Sequence, residues 1–194
     1  MNLQGYYGTC SFAKESIAQH GFDPARTHYR QDHWLGQGVY FFLSQEQAYW
    51  WASSISSHNR GSTPLIYQVQ ITAPDGKVLN LDDNEQVALF FSRIEDAYFQ
   101  ALKEDKQPIF TNQTLRALFF DYYKKEYGVS VIVATFQKDC VRYAGVPQHG
   151  ERLELQKELA KRLGIYFKET QVCVSDKLCI KETAIVYDGE DEVI

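Results

Sequence analysis

Apolar and polar positions recur along this chain at two periods, and together they predict a mixed set of strands and helices. Residues 3–9 (LQGYYGT) predict a first strand ended by Gly8. A helix follows, capped by Ser11, with Phe12, Ala13 and Ile17 turned inward and Gly21 just past its end. Val39, Tyr40, Phe41 and Phe42 are apolar on both faces, which predicts a short strand in the middle of a sheet. Ser44 with Gln47 three residues on makes a capping-box pattern, and Ala48, Trp51, Ala52 and Ile55 then recur at helical spacing. A loop rich in Ser, Asn and Gly is expected over 53–64. Residues 65–72 alternate as a strand, and Pro74, Asp75 and Gly76 are expected to turn it into a second strand over 78–81. Asp82 or Asp83 caps a long helix with Val87, Phe91, Ile94 and Tyr98 as its buried stripe. Leu115, Leu118, Phe119 and Tyr122 make another helical stripe, closed by Gly128.

Residues 129–136 (VSVIVATF) are the most β-branched run and predict a central strand. A short strand is expected over 140–144 and a charged helix over 151–163, with Arg152, Lys157, Lys161 and Arg162 as a solvated face. Two last strands, 166–174 and 178–187, close the chain. Residues 22–35 (FDPARTHYRQDHWL) have no periodicity and carry many donors. A loop of this length inside a compact domain is often functional.

Composition narrows the picture. The chain has 194 residues, 44% hydrophobic and 23% charged, which fits one globular domain with a sizeable core. A net charge of −5 argues against holding nucleic acid by bulk electrostatics. A local patch including Lys124, Lys125 and Arg142 still offers a guide for an RNA or DNA strand. The four cysteines, Cys10, Cys140, Cys173 and Cys179, have no tight pair spacing, and the five histidines are scattered, so no structural zinc site is expected. No secretory segment or long apolar run is seen, so the expectation is a cytoplasmic protein with reduced thiols and no membrane contact.

Conventional catalytic motifs are mostly absent: there is no GxSxG, HExxH, CxxC or Walker lysine, and the lone GQG is too weak to be a dinucleotide fingerprint. YYGTCSFAKESIAQHGF, followed by WLGQGVYFF and AYWWA, resembles the N-terminal half of the ADP-ribosyltransferase fold in its diphtheria-toxin and poly(ADP-ribose) polymerase branch. The resemblance joins a strand with an aromatic and Gly-Thr ending, a helix with a GF turn, a donor loop and a G-x-G-φ-Y-F run. It covers about the first fifty residues and is diffuse beyond Ala52.

The resemblance implies an α+β fold, a split β-sandwich of two small sheets with helices packed outside, and NAD as co-substrate. It implies NAD contacts from Tyr7, Gly8, Thr9, Arg30, Gly38, Tyr40 and Trp51. Tyr40 would stack on the nicotinamide, Gly8 would hold the carboxamide through its backbone, and Trp51 would be a second stacking face. Arg26, Arg30 and His33 are candidates to clamp the pyrophosphate. Tyr7 stands where the family has histidine. The family's catalytic glutamate, which stabilises an oxocarbenium-like transition state, has three candidate positions here: Gln171, Glu169 and Glu182. The catalytic set is thus Tyr7, Tyr40, Gln171 and Glu169.

The activity implied is transfer of ADP-ribose from NAD to a macromolecular acceptor, protein or nucleic acid, in a toxin or phage-defence role, with an antitoxin or inhibitor protein as a further partner. Because Tyr7 and Gln171 depart from the active pattern, a catalytically silent NAD- or ADP-ribose-binding module is the alternative. An RNA 2′-phosphotransferase-like enzyme would call for more arginine and histidine than the cleft residues offer.

Overall fold

In the computed structural model of the chain, residues 1–28, 33–103, 112–138 and 150–191 are described, apart from the side chains of 97–103, 112–115, Arg152 and Gln156. The short strand expected over 140–144 lies outside them, as do Arg30, Cys140 and Arg142.

The first strand, β1 (Asn2–Cys10), runs past Gly8 to Cys10 and leads through a single 3-10 turn into α1 (Lys14–His20). Gly21 ends α1 with a φ of 66°. Ser11 does not cap this helix, because its hydroxyl accepts the backbone N–H of Thr63, and Phe12 points to solvent rather than inward. Strand β2 (Val39–Phe42) is followed by α2 (Gln45–His58), whose N-cap is Ser44. Only half of the capping box forms. The Ser44 hydroxyl accepts from Gln47 N, while the Gln47 amide donates across to the Lys168 carbonyl. Helix α2 also continues through the segment expected as a loop, to His58.

Strand β3 (Pro64–Thr72) and β4 (Val78–Asn80) flank the Pro74–Gly76 turn, but they do not pair with one another. Strand β4 instead lies parallel to β5 (Val131–Lys138) at the far end of the sheet. Helices α3 (Asn84–Lys103) and α4 (Asn112–Tyr127) come between them, with Asp83 accepting from Glu85 N and Gln86 N at the start of α3. Helix α5 (Glu151–Leu163), β6 (Phe167–Val174) and β7 (Ile180–Asp188) complete the chain.

The protein is thus a mixed α+β fold. Its described strands form one seven-stranded sheet, in the order β4-β5-β6-β2-β1-β3-β7, where the family resemblance implies two small sheets. The sheet is narrowest in the middle: β1 and β2 share a single register pair, Tyr6 with Phe42, whereas β1 and β3 pair along the whole of β1. Strand β2 pairs along its whole length with β6, so the junction is narrow because β1 and β2 diverge away from the Tyr6 and Phe42 pair.

Strand alternation distributes the core over two faces. On one face Phe41, Tyr67, Val69, Ile71, Val133 and Val172 form a cluster that joins both halves of the sheet, closed by Phe22. On the other face the halves are covered separately. Phe42, Ala48, Ala52 and Ile66 pack α2 against β1 and β3, while Leu79, Phe90, Ile94, Phe120, Tyr123 and Ile132 pack α3 and α4 against β4 and β5. The buried rows of α3 and α4 therefore differ from the expected ones: Phe90 replaces Phe91, and Ala117, Phe120 and Tyr123 replace Leu118, Phe119 and Tyr122.

A charged contact ties the two chain ends of the β1-β3-β7 half. The Lys14 ammonium donates to the Asp188 carboxylate, whose side chain is almost fully covered, and this hydrogen bond holds the Asp188 carboxyl below its usual range. A carboxyl depressed in the folded state adds stability at neutral pH that is lost as pH falls through and below about 4. Lys14→Met is therefore expected to lower the melting temperature at pH 7 and to approach wild type at pH 3, as read by thermal melts across that range.

Candidate functional site

The gap between the two covered halves is a cleft of about 540 Å³. It lies where β1 and β2 part and is floored by β2 and β6. Residues directly opposite across a ladder share a face, so Tyr40 and Phe42 of β2 face the same way as Cys173 and Gln171 of β6. Glu169 is two residues from Gln171 and lies on that face, opposite Phe136 of β5. Helix α2 supplies Trp50 and Trp51 to the wall, and the loop after α1 supplies Arg26, His28, His33 and Trp34.

Among the described residues two carboxylates line the cleft, Asp23, which accepts Ala25 N, and Glu169, which is the buried one. Its residue is 4% exposed, and its Oε1 accepts the Gln171 amide at 2.7 Å and lies 3.5 Å from the Lys138 ammonium. Lys138 is itself buried, with its Nζ 3.4 Å from the centre of the Trp34 ring, which stands edge-on to Phe136. Placing an ammonium between a carboxylate and an indole face satisfies a charge that burial would otherwise make costly. Gln171 and Glu169 thus act as a linked pair. Glu182 is on the exposed outer strand β7 and does not line the cleft, so of the three candidates it alone is removed from the site.

Tyr40 lines the cleft with its ring, 5.2 Å from that of His33, while its hydroxyl is committed elsewhere. That hydroxyl donates to the Gly36 carbonyl at 2.6 Å and accepts from Leu35 N at 2.8 Å. Burial raises its pKa far above the usual phenol value, so it remains a neutral donor. The ring is therefore fixed by the loop it closes. Gly36 has a φ of 74°, and a Cβ there would lie 2.3 Å from Asp121 Oδ1. Asp121 accepts from Gln37 N at 2.6 Å and pairs with Lys124 at 2.9 Å, and Lys124 also donates to the Gln37 carbonyl. Lys124, read from the sequence as part of a surface patch with Lys125 and Arg142, is instead a buried anchor for this loop.

Gly38 and Gly8 both line the cleft. Gly38 lies flush against Cys173, and Gly8 against the Ala48 carbonyl of α2. Burial pushes the Cys173 thiol up to about 11, so it stays protonated at neutral pH and is a packing group rather than a nucleophile. Cys10, Cys173 and Cys179 are all free and buried.

Tyr7 and Thr9 sit apart from the other residues expected at the site. Tyr7 borders the cleft, but it follows Tyr6 and so sits on the opposite face from Tyr40 and Glu169. It packs against Phe22 at 4.9 Å and Phe41 at 5.9 Å, and burial raises its pKa. Its ring is part of the core. Thr9 is buried beside Leu65 in the β1–β3 ladder and does not line the cleft. Trp51 does line it and is 38% exposed, at the rim rather than within a buried stripe.

Lys138, Trp34 and Trp50 belong to the site and are missed by the sequence reading. Lys138 was recoverable: extending the β-branched run by two residues places it on the same parity as Ala134 and Phe136. Among the described residues no cluster of three His, Cys, Asp or Glu side chains is placed to hold a metal ion, and no helix is long and apolar enough to cross a membrane.

Comparison of the chain with protein-family models, with curated proteins and with solved structures finds no match. What the cleft does is therefore to be read from its residues.

Proposed function

We propose that the protein is an NAD-dependent ADP-ribosyltransferase acting on a macromolecular acceptor, protein or nucleic acid. The observation that carries this is the buried Glu169 carboxylate, set on the face of Tyr40 in a cleft walled by aromatic rings. The narrow junction between the sheet halves supports it too, since it approaches the split sandwich that the sequence resemblance implies. The cleft volume is within the range usual for small-molecule sites.

The residues fit the two ends of NAD. Tyr40, Trp50 and Trp51 offer faces for planar rings, and Arg26 and His28 offer donors for the pyrophosphate. NAD supplies the ADP-ribosyl group: the bond from ribose C1 to nicotinamide breaks with nicotinamide leaving, and the acceptor nucleophile forms the new bond to C1 and gives up its proton to water. Glu169 accepts a ribose hydroxyl and offsets the positive charge that develops on the ribose, an electrostatic role. Gln171 orients Glu169 through the amide that already donates to it. The fixed Tyr40 ring holds the base without needing its hydroxyl.

The alternative, a silent NAD- or ADP-ribose-binding module, draws on one specific observation. Lys138 lies 3.5 Å from Glu169 and neutralises charge that catalysis would use. Incubation with NAD labelled in the adenine ring and a cell lysate separates the two, by release of nicotinamide and transfer of label. Glu169→Gln is expected to lower the rate by about 10²–10³-fold with NAD binding by calorimetry retained. Binding without nicotinamide release by the wild-type protein would favour the module, and absence of both would overturn the NAD site.

A further inference from the structure

Helix α5 carries two apolar rows. Leu153 and Ala160 are buried against the body of the protein. Leu155, Leu159 and Leu163, four residues apart and so on one face of the helix, are 57%, 45% and 66% exposed, and Ile165 just beyond the helix is 67% exposed. Tyr166 and Phe167 extend the row into the start of β6. Monomeric proteins rarely leave a contiguous ridge of large aliphatic side chains in water. We infer that this ridge is a self-association surface, on which α5 of a second copy packs antiparallel to form a two-fold dimer.

The charge order along α5 selects that occupant and that direction. The first turn carries Glu151 and Glu154 with Arg152 between them and is net acidic, and the last turn is basic, with Lys161 and Arg162. In an antiparallel pair each acidic first turn lies beside the partner's basic last turn, and the contact occurs twice by symmetry. A parallel pair would set like charges together at both ends. The antiparallel arrangement also opposes the two helix dipoles. Within one chain Lys157 pairs with Glu154 and Arg162 with Glu158, but these pairs lie along the same exposed helix and leave the leucine row uncovered.

The surface is continuous with the cleft in sequence. Leu163 is followed through Gly164, which is left-handed at a φ of 65°, by the strand that carries Glu169 and Gln171.

Sedimentation velocity of the full chain, from low to high micromolar concentration, tests this. The expected result is a species of twice the 22.4 kDa chain mass that Leu159→Asp converts to a folded monomer, with an unchanged circular dichroism spectrum. Leu159 is half exposed, so the monomer should tolerate the change. Arg162→Glu alone is expected to weaken the dimer at least tenfold. Adding Glu151→Lys should restore it, although the Arg162 to Glu158 pair within the helix is lost in both variants. A wild-type protein that stays monomeric throughout, or a dimer indifferent to Leu159→Asp, would overturn the proposal. A dimer that responds to Leu159→Asp but is not restored by the charge exchange would overturn the antiparallel arrangement.

Discussion

Asp121→Ala is expected to destabilise the protein by about 3–5 kcal/mol, because it strips the partner from a buried cation. Lys124 has a side chain only 7% exposed, and its ammonium is 2.9 Å from Asp121 Oδ1. The same oxygen also accepts Gln37 N, so the variant orphans a backbone donor as well. The pair holds the loop that Tyr40 closes, and the loss should be felt in the cleft. Asp121→Asn keeps an acceptor for Gln37 N and removes only the charge, so its cost should be smaller, about 1–3 kcal/mol. Adding Lys124→Met to Asp121→Ala should recover a large part of the loss, since no unpaired charge then remains. Urea unfolding of these three variants, of Lys124→Met alone and of wild type gives all five stabilities, and the coupling follows from the double-mutant cycle. Equal losses for Asp121→Ala and for the double variant would show that the buried charge is not the cause.

Gly8→Val is the second large effect. A Cβ built on Gly8 would stand 2.1 Å from the Ala48 carbonyl oxygen, and this neighbour is helix backbone that no side-chain rotation can move. Helix α2 must shift away from β1, and overpacking of this kind costs about 1–3 kcal/mol or more. The shift moves Trp50 and Trp51 with the helix, so the cleft wall should be displaced and, on the proposed function, NAD binding should weaken along with stability. Gly8→Ala brings the same Cβ and should show most of the loss. A control at Gly76, whose Cβ would meet nothing within 4 Å, should be near neutral in the same thermal melts. The family resemblance implies that Gly8 holds the carboxamide through its backbone; independently of any ligand, the position needs glycine because the backbone of helix α2 lies against it.

Local signals were well carried by the sequence, and contacts between distant segments were not. Ser44 is a cap and Gly21 and Gly128 end helices as expected, because capping and left-handed turns depend on a few adjacent residues. The row buried on α4 was misjudged by one position because the helix offers doublets, Phe119-Phe120 and Tyr122-Tyr123, and periodicity cannot choose between neighbours of equal hydrophobicity. Trp50 and Trp51 are the same case. Strand β4 went wrong for another reason. A Pro-Asp-Gly turn looks like a hairpin, yet the short strand after it leaves β3 for a parallel partner more than fifty residues on, at the other end of the sheet. In the site, strand alternation alone placed Glu169 and Gln171 on one face. Choosing Glu169 as the buried carboxylate needed Lys138, which comes from a different strand and closes the pair only in three dimensions.

The single rung between Tyr6 and Phe42 means that the main chain contributes little to holding the two halves of the sheet together. Their cohesion comes from the buried side chains that span both halves, and among these the Phe22 ring meets Tyr7 at 4.9 Å, Phe41 at 5.6 Å and Tyr67 at 5.4 Å, all edge to face. Tyr7 and Tyr67 belong to β1 and β3, and Phe41 to β2, so one aromatic residue from the loop after α1 acts as the keystone across the seam. The floor of the cleft is thus an adhesive joint of ring edges rather than a woven one of hydrogen bonds.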